Sequence, residues 1–319
     1  MKRIIFGLLI GCLCLTQFSF AAQRRQSWHS WIQDVKREAI AQGINTALLN
    51  RVFDGMTPSQ KHLRLDKNQP EKRLTYLKYR NTRGGAYRIK LGKREYRKHK
   101  PLIDAIGHTF GVSPYFIVSI WGLETSYGRV RGRHPVIRSL ATLAYDTRRS
   151  AFFRKELFLA LHILNEGHIE LHNFKGEWAG ATGQTQFLPS SWFNYAVDYN
   201  KDGQKDIWET YGDIFASIAN YLVQNGWQKG QPCSIVVSLP QRFSKSLVSL
   251  KVTKTVGEWQ QLGVRLHVAI NPNVKASIIS PYGGPDMMVF NNFKVLLKWN
   301  YSIYYAGTVE YMARKISQG

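Results

Sequence analysis

Apolar positions recur at helical spacing along most of the first 226 residues of this 319-residue chain, and the pattern turns strand-like after Pro232. Trp28, Trp31, Ile32 and Val35 predict an amphipathic helix that Gly43 can close. From Leu102 to about Gly226 helical patterning dominates, with broad apolar faces over 149–164 and 213–225, interrupted by a polar, glycine-rich stretch from Asn173 to Gly183. SIVVSLP, SLVSLKVTKTV and VRLHVAI then show β-branched residues in partial alternation between Pro, Gly and Asn, and predict short strands. A helical pattern returns from about Ser302 to Ile316. The economical arrangement is α+β and mainly α: a helical domain over 23–231, a small β-rich subdomain over 232–291, and a C-terminal helix within 292–319 that returns to the helical body.

One segment breaks its own pattern. In SPYFIVSIWGLETSYG, Ile117, Ile120, Trp121 and Glu124 fall at i, i+3, i+4 and i+7, so a carboxylate stands where the next core residue belongs. Ser113 suits the N-cap, Pro114 the first helical position, and Gly128 the stop. Glu124 then lies in the last turn between Trp121 and Tyr127, where burial and the negative end of the helix dipole both raise its pKa. A carboxyl held protonated near neutrality can act as a general acid. The competing reading is a structural Glu paired with Arg129.

Composition narrows the setting. Lys2 and Arg3, the apolar run Ile4 to Phe20, and Ser19-Phe20-Ala21 form an export signal over 1–22, so a periplasmic protein is expected. Leu9-Ile10-Gly11-Cys12 resembles a lipobox, which would instead anchor the chain through Cys12 at the outer membrane. Of three cysteines only Cys233 lies beyond the signal, so no internal disulfide is available and a hydrophobic core must carry stability. The formal charge of +23, with the basic run from Arg83 to Lys100, suits an anionic wall polymer or membrane surface, and export argues against nucleic acid. A monomer without organic cofactor is expected.

Two further segments carry chemistry. Residues 198–209, DYNKDGQKDIWE, match an EF-hand-like loop: Asp198, Asn200 and Asp202 offer oxygens, Gly203 permits the turn, Gln204 gives its carbonyl and Glu209 stands at position twelve. A structural Ca2+ is the reading, against an Asx-rich loop that ties itself together. In GEWAGATGQTQFLPSS, small residues let a backbone approach a ligand, and Gln184, Gln186 and Phe187 could grip or stack on sugar; loop packing would use the same residues. A glycosidase normally needs two carboxylates, yet Glu124 has no acidic partner at motif spacing, with Asp146 and Glu177 available only through the fold. HExxH and GxSxG are absent.

The runs FGVSPYFIVSIWGLETSYGRVRG, SLATLAYDTRRSAFFRKEL, KGEWAGATGQTQFLPSSWFNYAVDYNKDGQKDIW and ASIANYLVQNGW, in this order, resemble the lytic murein transglycosylase B family, glycoside hydrolase family 103. The resemblance implies a lysozyme-like helical domain acting on peptidoglycan glycan strands. It further implies cleavage of the β-1,4 bond between N-acetylmuramic acid and N-acetylglucosamine, with 1,6-anhydromuramoyl products. Glu124 matches the single catalytic acid, which also serves as base because the sugar's own C6 hydroxyl attacks. Arg148, Arg149, Gln186, Phe187, Tyr221, Asn300 and Tyr305 match substrate-cleft positions, and Tyr79 matches another, although core packing is the better reading there. Three departures stand out. Glu177 replaces a common serine and could open a hydrolytic route, Trp299 replaces a tyrosine, and Asp213 competes with Glu209 as last calcium ligand.

Overall fold

A computed structural model of the chain describes residues 26–67, 74–146 and 149–318. The export signal, Cys12 and Arg148 lie outside the described residues. The first helices follow local capping chemistry: Ser27 accepts the Ser30 N–H at the start of α1 (Trp28–Ala41), and Asn45 accepts those of Ala47 and Leu48 at the start of α2 (Thr46–Phe53). Next come the short α3 (Gln60–Lys67) and α4 (Tyr76–Arg83), then α5 (Ala86–Phe110), which runs through Pro101. α6 (Pro114–Thr125), α7 (Val136–Tyr145), α8 (Ser150–Asn165), α9 (Pro189–Tyr195) and α10 (Tyr211–Gln224) follow. Helices dominate, as the apolar spacing implies.

α6 sits at the centre of this body. Every residue from Ile117 to Gly122 is buried, because α5, α10 and α13 (Ile303–Ser317) pack around it. A helix apolar on all sides belongs inside a core, and this one opens partly to solvent only at its two ends, Glu124 lying in the last turn.

The strand-rich region forms one antiparallel sheet in the order β4-β6-β7-β3-β5, from β3 (Ser234–Ser238), β4 (Ser249–Thr255), β5 (Arg265–Leu266), β6 (Lys275–Ile279) and β7 (Met287–Val289). β6 and β7 have no counterpart in the pattern reading. The reason is burial on both faces: Ile278, Met288 and Phe290 join Val237 and Trp259 in a local core, while Ile279, Met287 and Val289 join the main helical core. Such strands show no polar alternation. Between β4 and β5, α11 (Val256–Gln261) starts with a full capping box from Thr255 and Glu258. α12 (Asn291–Trp299) is also unforeseen by pattern, and it delivers Trp299 to the site. A two-stranded ladder of β1 (His134–Pro135) and β2 (Lys175–Gly176) anchors the glycine-rich loop.

Candidate active site

Glu124 occupies the last turn of α6, which ends against two left-handed residues, Ser126 (φ 51°) and Tyr127 (φ 63°). The stop comes two residues before Gly128. Left-handed backbone at such residues costs about 1–2 kcal/mol each and persists only where the surroundings hold it. Arg88 of α5 does the holding: its Nη2 donates to Ser126 Oγ at 3.1 Å, and Tyr127 Oη donates to the Arg88 carbonyl at 2.8 Å. The Tyr127 ring lies so close to α6 that a Cβ on Gly122 would stand 2.5 Å from it.

Two aromatic donors converge on one oxygen of Glu124. Tyr305 Oη donates to Oε1 at 2.5 Å and Trp299 Nε1 donates to the same atom at 2.7 Å. Among the described residues no donor reaches Oε2 and no cation ion-pairs with the carboxylate. Burial pushes its pKa up to about 7, against the downward pull of the Tyr305 and Trp299 bonds and of Arg83. Arg129 does not pair with it; Arg129 stands 3.5 Å from Glu95 instead. Nor do Trp121 and Tyr127 make its polar contacts, since the Trp121 indole donates to Gln184 Oε1 at 2.8 Å and Tyr127 turns to Arg88.

Around this pair the other site candidates divide by role. Phe187 and Tyr221 are buried and support Trp299, with ring centroids 5.3 Å and 4.6 Å away. Tyr221 also donates to the Lys298 carbonyl at 2.7 Å, which ties α10 to the end of α12. Tyr305 is buried on α13, and its phenol is held far above its usual range by burial and by Glu124. Tyr79, which the sequence assigns to core packing, is only half-buried; burial is the larger cause of its raised pKa, and the Glu124 charge adds to it. Asn300 is exposed at the C-cap of α12, directly after Trp299.

The glycine-rich loop is built for packing. Gln184 is fully buried and its Nε2 donates to the Trp208 carbonyl at 2.8 Å, so this amide joins α6 to the 198–209 loop rather than gripping a ligand. A Cβ on Gly176 would stand 2.1 Å from the Ala181 carbonyl, so the close approach is chain against chain. Gln186 spends its Nε2 on the carbonyls of Gly183 (3.0 Å) and Arg131 (3.3 Å) and remains half-exposed. Glu177, on the turn after β2, raises the pKa of His134 against the larger effect of burial. Neither Glu177 nor Asp146 is among the charges that move Glu124. Arg149 does not pair with Glu177 either; it pairs with Asp66 and lies 5.0 Å over the Phe153 ring.

The 198–209 loop closes on itself. Asp198 accepts the Gly203 N–H at 2.9 Å, Asp202 accepts the Gln204 N–H and the Asn200 amide at 2.8 Å each, and Lys201 sits at φ 61°. Among the described residues no group of three or more His, Cys, Asp and Glu could hold a metal ion in this arrangement. The two candidates for the last ligand differ sharply. Glu209 turns away to Arg131 with its side chain 72% exposed, whereas Asp213 is fully buried on α10. Burial raises the pKa of Asp213 against the pull of the Tyr199 and Asp206 N–H groups, and the charges of Asp198 and Asp202 add a smaller upward push.

Comparison with known proteins places this geometry in context. Residues 27–314 match the family described as Transglycosylase SLT domain. The chain is 30% identical over 250 residues, 76% of its length and 67% of the other's, to Membrane-bound lytic murein transglycosylase B of Escherichia coli (strain K12). Its fold is similar to SltB3 of Pseudomonas aeruginosa in complex with NAG-anhNAM-pentapeptide, with a TM-score of 0.88 and 37% identity over 92% of this chain and 80% of that one. It is also similar to the Escherichia coli lytic transglycosylase Slt35 in complex with calcium, with a TM-score of 0.81 and 26% identity over 90% and 92% of the two chains.

Proposed function

Because this chain belongs to the Transglycosylase SLT domain family, we propose that it cleaves the β-1,4 bond between N-acetylmuramic acid and N-acetylglucosamine in peptidoglycan, with Glu124 as acid and then base. The observation that carries the reading is the arrangement of Glu124, with both donors on Oε1 and none on Oε2 among the described residues. A neutral carboxyl so held keeps its proton on Oε2, free to leave. That proton goes to the glycosidic oxygen as its bond to the anomeric carbon breaks. The muramoyl C6 hydroxyl then bonds to the same carbon and returns its proton to the carboxylate, whose negative Oε1 two charge-assisted bonds stabilise. No water is consumed and no second carboxylate is required, which agrees with the absence of Glu177 and Asp146 from the charges acting on Glu124. Mass spectrometry of digested sacculi tests this directly. The expected products carry 1,6-anhydromuramoyl ends, and reducing muramic ends would overturn the reading in favour of hydrolysis.

The ligand class follows from SltB3, whose complex holds NAG-anhNAM-pentapeptide. Glycan strands with their peptides are the substrate proposed here, and Tyr79, Arg149, Gln186, Asn300 and Tyr305 are the proposed contacts. An exported, periplasmic location is proposed from the sequence of residues 1–22. No helix among the described residues is long and apolar enough to cross a membrane.

For the acidic loop we propose Ca2+ with a structural role. Asp198, Asn200 and Asp202, the Gln204 carbonyl and Asp213 make an all-oxygen set that suits a hard cation. Asp213 is preferred to Glu209 because it is buried on α10 and feels the charges of Asp198 and Asp202, its two oxygens meanwhile accepting the Tyr199 and Asp206 N–H groups at 2.8 Å each. Saturating Ca2+ should raise the melting temperature by on the order of 5 °C at ~100 times its Kd. EGTA should reverse the gain. Differential scanning fluorimetry should find the response kept in Glu209→Gln and lost in Asp213→Asn; the opposite pattern would assign the ligand to Glu209.

A further inference from the structure

α5 turns one face to water, and that face carries cations without acids. Tyr87, Lys90, Arg94, Arg97, Lys98 and Pro101 are exposed, and steps of three and four residues align them on one stripe about 21 Å long at ~1.5 Å per residue. The acids of this helix lie off the stripe, and only Arg94 among its cations is paired with one of them. Glu95 is buried and takes Arg94 at 2.7 Å and Arg129 at 3.5 Å, while Asp104 pairs with Lys100. Lys90 and Arg97 have no acidic partner among the described residues. The first turn of the helix is pinned to the catalytic helix, since Arg88, beside Tyr87, donates to Ser126 Oγ two residues after Glu124.

We propose that this stripe is a docking track for the anionic glycan strand beyond the catalytic subsites, with Lys90 and Arg97 meeting strand carboxylates and Tyr87 stacking on a sugar ring. The inference rests on the transglycosylase reading of the cleft. A polymer fits better than a bilayer, because Tyr87, 76% exposed, is the one large apolar side chain on the stripe and nothing beside it could enter acyl chains. Spacing points the same way. Lys90 and Arg97 are seven residues apart, about 10.5 Å along the helix. That is close to one disaccharide, the interval at which a wall strand presents its lactyl or peptide carboxylates.

The test separates binding from cleavage. In a Glu124→Gln background, cosedimentation with purified sacculi at low salt should weaken about tenfold in Lys90→Glu/Arg97→Glu. The milder Lys90→Gln/Arg97→Gln should show a smaller loss of the same sign. The difference should vanish near 1 M salt, where the screening length is about 3 Å. With Glu124 intact, both charge variants should cleave a soluble tetrasaccharide at the unmodified rate, because so short a ligand cannot reach the track. Unchanged sedimentation of both variants would overturn the proposal. So would lost binding to phosphatidylglycerol vesicles with sacculus binding intact, which would make the stripe a lipid surface. If the unmodified chain cleaves neither substrate, the catalytic reading fails, and the sedimentation result still decides the track.

Discussion

Glu124→Gln should lower the release of soluble anhydromuropeptides from sacculi by ~10³-fold or more, since a positioned general acid alone contributes about 10²–10⁴ and this carboxyl serves in both proton transfers. Gln keeps the shape and can still accept from Trp299 and Tyr305 through its carbonyl, so sacculus binding and the folded state should persist. Stability should even improve above neutrality. The folded pKa of Glu124 is raised from 4.5 to about 7, so its neutral form supports the fold fully below 4.5, and that support is lost as pH rises through 7. Above pH 7 the charged carboxylate is a burden of at most about 3 kcal/mol, reduced by its partial opening to solvent, and Gln removes it. The variant should therefore melt higher than the unmodified chain at pH 8 and not at pH 4. Activity within tenfold of the unmodified chain would sink the assignment of Glu124.

Removing the donors on Oε1 should produce the second largest effect. Tyr305→Phe and Trp299→Phe each delete one hydrogen bond to a group that becomes charged, worth roughly 1.5–3 kcal/mol, or about 10–150-fold in rate. Direction is as informative as size. Both bonds lower the Glu124 pKa, so deleting either should move the alkaline limb of the rate profile upward from about 7. A merely structural tyrosine or tryptophan would change the melting temperature and leave that limb in place. The profile is read from initial rates on sacculi between pH 5 and 9, and a limb that stays put or moves downward would contradict the arrangement.

Legibility varied with how local the cause was. The anomaly at Glu124 was visible because a single buried helix needs apolar residues at i, i+3, i+4 and i+7, and Ile117, Ile120 and Trp121 obey that rule up to the carboxylate. Trp299 was visible only as a departure from the tyrosine that the family resemblance implies. Its indole nevertheless supplies an N–H to Glu124 from 175 residues away, a distance no periodicity reports. Gln184 was undecided between two readings for a related reason. An amide in a glycine-rich loop has the same chemistry whether it meets a sugar or, as here, the Trp121 indole and the Trp208 carbonyl. Pattern also failed at β6 and β7, where burial on both faces erased the alternation that marks a strand.

By itself the sequence determined the mainly helical class, the strand-rich region after Pro232, the family and the out-of-place carboxylate, all of which follow from local spacing, capping and motif order. Tertiary structure decided which groups bond that carboxylate. Arg129, its near neighbour in sequence, went to Glu95, while Tyr305 and Trp299 arrived from the C-terminal helices, both bonding Oε1. The physical reason is that a pKa depends on burial and on donors within about 3 Å, and those are set by packing between distant segments.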